Sequence, residues 1–149
     1  MKPSFVIQEK FLQKNLALLV DLYELTMAAS YFEYKQNCLA SFDLFIRDLP
    51  KSRSFFLAAG LEDVVLALRS FQFDAESIDY LDSLKIFSRS FLDDLHHLRF
   101  SGSLWAMPEG TVFFPNEPIL RIVAPLIEAQ LLESFLLNIS INKIYDISF

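Results

Sequence analysis

Of the three glycines and six prolines in this chain, Gly102, Pro108, Gly110, Pro115 and Pro118 fall within one short stretch, between runs of Val, Phe, Ile, Leu and Trp. Apolar, β-favouring segments punctuated this often have no room for a helix, so Gly102 to Val123 reads as short strands joined by tight turns. Elsewhere the pattern has a different period. Leu16, Leu19, Val20, Tyr23, Met27 and Tyr31 recur at spacings of three and four, which predicts a helix from Leu16 to about Tyr34 with that apolar stripe buried. Two periods in one short chain give an α+β unit.

Ser41 to Arg47 alternates, with Phe42, Leu44 and Ile46 on one face and Ser41, Asp43 and Arg47 on the other. Phe45 adds an apolar residue to the second face, so the expectation is a strand covered on both sides. Asp48 to Arg53 is a polar connection in which Pro50 opposes regular structure. Phe56 to Phe71 reads as a helix burying Leu61, Val64, Val65 and Leu68. Asp74 is placed to cap a helix from Ala75 to Leu84, and a further helix is expected from Ser88 to Leu98. Pro125 suits a first helical turn, since its missing N–H costs nothing there, and Leu126 to Leu137 supplies a mostly apolar last helix. There are no internal repeats or low-complexity tracts.

The chain has 149 residues, enough for one domain, and hydrophobic residues make up 53%, with 16 phenylalanines. That much apolar surface argues against disorder. A net charge of −6 offers no basic field for a nucleic acid. No apolar run approaches the roughly 20 residues of a membrane helix, and the opening Met1 to Lys10 lacks the apolar block of a signal peptide. The expected compartment is the cytoplasm, and the lone Cys38, read as a semi-buried residue between helix and strand, fits a reducing one.

Val20-Asp21-Leu22-Tyr23-Glu24-Leu25-Thr26-Met27 is followed, in order, by Phe42-Asp43-Leu44-Phe45-Ile46-Arg47, Ala58-Ala59-Gly60-Leu61-Glu62, Trp105-Ala106-Met107-Pro108-Glu109-Gly110-Thr111, Glu117-Pro118-Ile119-Leu120 and Ala124 to Glu133. This series resembles the amino-terminal region of the nicotinate phosphoribosyltransferase family. The resemblance implies the amino-terminal α/β region of a type II phosphoribosyltransferase, without the catalytic α/β barrel that follows it in the family. It divides the chain into a lead segment 1–14, the amino-terminal domain 15–138 and a divergent tail 139–149. An interrupted or shifted reading frame after Asn138 would account for the tail.

The family joins nicotinate to phosphoribosyl pyrophosphate, coupled to ATP and with Mg²⁺, and forms its sites between two subunits of a dimer. The resemblance therefore implies nicotinate and phosphoribosyl pyrophosphate as ligands and a homodimer, or pairing with a full-length homologue. It gives this chain no cofactor of its own. Tyr23 matches the tyrosine that reaches the nicotinate pocket, where offset stacking on a flat pyridine contributes roughly 0.5–1.5 kcal/mol beyond area burial. By periodicity alone Tyr23 belongs to a core stripe with Leu19 and Met27. Val20 stands where the family usually has threonine. Arg47 matches a basic residue directed at donor phosphates, which a guanidinium grips with two prongs. As an isolated residue it reads as a solvated strand-end arginine paired with Asp48 or Asp43.

His96 and His97 lie outside the region of the family's phosphorylated histidine. His97 follows Asp93 by four residues, the spacing of an exposed helical pair. Trp105 and Met107 read as core strand residues. Glu62-Asp63 and Asp93-Asp94 are adjacent pairs whose side chains diverge on a helix, so they read as solvated faces, and no metal site is expected. The glycines at 60, 102 and 110 form no phosphate-cradling loop. The chain is thus expected to be inactive alone. The alternatives are a non-catalytic dimerisation or interaction fragment, and one chain of a split enzyme.

Overall fold

The computed structural model describes residues 16–35, 37–138 and 144. The lead segment 1–14 lies outside them, as does the tail 139–149 apart from Ile144. A 3-10 turn at Leu16–Leu19 precedes α1 (Leu22–Glu33), β1 (Leu39–Leu44) and β2 (Phe56–Leu57). Three helices follow: α2 (Leu61–Ser70), α3 (Ala75–Ser83) and α4 (Arg89–His97). Then come β3 (Ser103–Ala106), β4 (Val112–Phe113), β5 (Leu120–Pro125) and α5 (Leu126–Leu131), with further helical residues at 133–138 after a turn at Leu132.

The strands form two antiparallel sheets, β1-β5-β3 and β2-β4. β5 is central in the first, pairing Asp43 with Arg121 on one side and Trp105 with Arg121 on the other. Gly102 is required at the mouth of β3. A Cβ there would lie 2.5 Å from the Ala124 Cβ and 2.6 Å from the Val123 carbonyl oxygen, closer than any side chain tolerates.

The main core lies between the inner face of this sheet and the helices, and aromatic rings fill it. Phe71 meets Phe73 and Phe135 edge-on at centroid distances of 5.8 and 5.5 Å, geometries that ring quadrupoles favour. A second apolar cluster gathers Ile46, Phe56, Ala58, Ala59, Phe113 and Ile119, with Ile144 of the tail stretch buried in it. Phe56 and Phe113 stack there at 5.4 Å.

Local signals explain most boundaries. Asp74 accepts from the Ser77 N–H at 2.8 Å and caps α3, as expected. Ser88 does the same for the Phe91 N–H at the start of α4. α2 begins later than the sequence suggests, because Phe56–Leu57 pairs with β4 and Gly60 takes a left-handed φ of 94° that turns the chain into the helix. Glu109 reaches across to accept the Leu61 N–H at 2.6 Å, giving that helix a cap from a distant loop.

Several expectations need correction. The single helix from Leu16 to Tyr34 is broken at Val20–Asp21, where Asp21 is extended at φ −69° and ψ 144°. The break resets the helical phase, so the stripe does not run through. α1 buries Glu24, Leu25 and Ala28, and exposes Tyr23 and Met27. The sheet is not covered on both sides: Ser41 and Asp43 face outward, and Trp105 is 56% exposed rather than core. Pro125 is the last residue of β5 and stands at the N-cap of α5, one position before the first helical turn. Cys38 lies between helix and strand but is exposed.

Candidate functional site

The break at Asp21 decides what α1 presents. With Glu24, Leu25 and Ala28 turned inward against the C-terminal helical residues, Leu22, Tyr23 and Met27 face solvent. Tyr23 is 48% exposed, which removes it from the core stripe that its spacing suggested. Its hydroxyl donates to Glu24 Oε1 at 3.3 Å. Partial burial, then the negative charges of Glu133 and Glu24, push the phenol up to about 12, so the ring keeps its proton across the physiological range.

Beneath it lies a polar knot that the sequence did not announce. Glu24 is 0% exposed. Its Oε1 accepts the Ser134 N–H at 3.1 Å and lies 2.8 Å from Ser134 Oγ, which is also 3.0 Å from Asp21 Oδ2. Asp21 stands at the N-cap of α1 yet makes no cap bond with its side chain. Burial pushes the Glu24 carboxyl up and Glu133 adds to this, while the bonds from Ser134 and Tyr23 oppose it. A glutamate on an otherwise apolar inner face is the signal that could have found this knot. Ser134, more than a hundred residues away, could not be paired with it from sequence.

Arg47 lies just beyond the end of β1 and is exposed. It lines an open groove of about 450 Å³ with Phe42, Asp43, Phe45, Glu133 and Leu136. Tyr23 does not line this groove. Glu133 stands between the two, on the groove wall and beside the Tyr23 phenol. Asp43 does not neutralise Arg47, because Arg121 takes it through two bonds of 2.6 and 2.8 Å and holds its carboxyl below the usual range.

The other candidates behave as surface groups. His96 and His97 are exposed on α4, and their Nδ1 atoms contact the carbonyls of Phe73 (3.1 Å) and Asp93 (2.7 Å). The partner of His97 is thus the main chain of Asp93 and not its carboxylate. Among the described residues no three His, Cys, Asp or Glu side chains converge as metal ligands. No described helix is long and apolar enough to cross a membrane.

An α+β unit with a central antiparallel β5, an aromatic helical core and a tyrosine held outward on its first α-helix matches one family model, the nicotinate phosphoribosyltransferase N-terminal domain, over residues 18–141. The chain belongs to the nicotinate phosphoribosyltransferase family, as an N-terminal domain of it. It is 52% identical to a nicotinate phosphoribosyltransferase of Mycobacterium tuberculosis over 122 residues, covering 82% of this chain and 26% of that protein. With the Bacillus subtilis enzyme it shares 39% identity over 135 residues, 90% of this chain and 28% of the other. The crystal structure of human nicotinic acid phosphoribosyltransferase superposes with a TM-score of 0.73 at 36% identity, covering 80% of this chain and 25% of that one. The chain therefore spans about a quarter of the length of these relatives.

Proposed function

We propose that this chain supplies the nicotinate-facing wall of a nicotinate phosphoribosyltransferase and does not complete the reaction by itself. The observation that carries this is the placement of Tyr23: in a domain of this family, the aromatic residue of the opening motif stands out of the core, with its hydroxyl tied down and its ring available. A flat anionic pyridine gains offset stacking there, and a ring fixed in advance loses little entropy on binding.

Arg47, exposed on its groove and not paired with Asp43, is the proposed contact for a donor phosphate. Transfer of the phosphoribosyl group needs charge stabilisation on the departing pyrophosphate. In this reading that stabilisation belongs to the three quarters of the relatives' length that this chain does not span. The domain would work as part of a homodimer or beside a full-length partner, in the cytoplasm.

The test has two parts. The purified chain, given nicotinate, phosphoribosyl pyrophosphate, Mg²⁺ and ATP, should release no pyrophosphate. Residues 15–138 grafted in place of the equivalent region of an active homologue should sustain turnover. Pyrophosphate release by the chain alone would overturn the division of labour, and a folded but inactive graft would overturn the shared site.

A further inference from the structure

The buried knot under Tyr23 has fewer hydrogens than its contacts require. Ser134 Oγ lies within hydrogen-bonding distance of two carboxyl oxygens, Glu24 Oε1 at 2.8 Å and Asp21 Oδ2 at 3.0 Å. A serine hydroxyl has one proton to donate. If both carboxyls were ionised, one of these short contacts would hold no hydrogen and would set a lone pair against an anion. The remaining donors do not repair this, because the Ser134 N–H and the Tyr23 hydroxyl are both directed at Glu24 Oε1. Glu24 Oε2 is buried with no hydrogen-bond partner among the described residues, so an ionised Glu24 would also leave part of its charge without a donor there.

We infer that Asp21 and Glu24 share one extra proton, held on Glu24 and relayed through the Ser134 hydroxyl to Asp21. Glu24 Oε1–H donates to Ser134 Oγ, and Ser134 O–H donates to Asp21 Oδ2, so every short contact has its hydrogen. The reverse arrangement, with the proton on Asp21, would place the charge on the buried partner and the neutral acid at the surface. Solvation favours charge on the exposed Asp21.

The groups that face Glu24 are Asp21 and Tyr23 from α1, and Glu133 and Ser134 from the helical residues packed against it. Of these, Glu133 disfavours a further negative charge in the knot, while the bonds that Tyr23 and Ser134 direct at Glu24 favour it. Burial and Glu133 hold the carboxyl above the ordinary glutamate value. The shared proton thus becomes a latch: it ties the helix that carries Tyr23 to the C-terminal residues, and its loss sets two anions across one hydroxyl.

Carboxyl-carbon NMR titration of the whole chain, with Asp21 and Glu24 assigned, tests this. The expected result is that Glu24 titrates well above the ordinary glutamate range and that the Asp21 carbon shifts in the same step. In Ser134→Ala the Asp21 carbon should no longer respond to the Glu24 step, since no hydroxyl links the two carboxyls. A wild-type Glu24 that titrates at or below the ordinary value overturns the proposal without recourse to a variant. So does an Asp21 that never responds to the Glu24 step.

Discussion

Two helices of this domain treat their own sequences in opposite ways. α4 buries Phe91, Leu92 and Leu95, exposes Asp93, Asp94, His96 and His97, and starts on a serine that caps it. Pattern, cap and packing agree there. α1 buries a glutamate beside Leu25 and Ala28, exposes Tyr23 and Met27, and has an aspartate at its N-cap whose side chain is used elsewhere. A helix that sends apolar side chains out and a carboxyl in gives up stability relative to the alternative phase. Where local rules are broken in a consistent fold, a functional site is the expected reason. α4 turns its apolar side chains into the core, and α1 leaves Tyr23 and Met27 at the surface.

The contrast is broken most readily by truncating one side chain on each helix. Phe91→Ala should cost about 3–5 kcal/mol, because the ring lies in the core against Phe32 and Phe87. Met27→Ala should cost less than about 1 kcal/mol, as for an exposed position. Urea unfolding of both variants measures this, and equal losses would mean that the outer face of α1 is packed after all. A smaller effect distinguishes the helix starts. Ser88→Ala should remove about 1 kcal/mol by stripping the cap from the Phe91 N–H. Asp21→Ser should not weaken α1 through capping, since the aspartate makes no such bond.

The last of these effects depends on pH. The Glu24 carboxyl is raised in the folded chain, so its contribution is fully present below the ordinary glutamate value and is lost as the pH rises through the raised one. The wild type should therefore lose thermal stability along that climb. Glu24→Gln, a neutral isostere, should show a flatter profile. Parallel profiles for the two proteins would mean that Glu24 titrates normally.

Much of the fold was legible because the signals were local. Asp74 and Ser88 announce their helices within four residues, and the glycines and prolines from 102 to 118 forced short strands where β3, β4 and β5 now lie. What failed depended on partners distant in sequence. The phase of α1 is set by the break at Asp21 and by Ser134, so the stripe through Leu19, Tyr23 and Met27 looked buried when it is not. Strand alternation set Asp43 on the face opposite Phe42 and Leu44, but no periodicity says whether a face is covered, and Trp105, which pairs with Arg121 as Asp43 does, was read as core and is exposed. Asp43 was a plausible partner for Arg47 by proximity, and the register of β5 gave it to Arg121 instead. The exposure of Tyr23 ran against its own spacing, which set it in the core stripe; only the motif that contains it singled the residue out.

The claim that the outward face of α1 is the ligand face is tested most directly in the grafted enzyme carrying residues 15–138. Tyr23→Ala there should raise the apparent KM for nicotinate by roughly tenfold, the equivalent of losing about 1.4 kcal/mol of ring contact. Asp93→Ala on α4 should leave KM unchanged. A Tyr23→Ala graft that turns over with the parent's KM would contradict the account, and would return Tyr23 to the status of an ordinary surface residue.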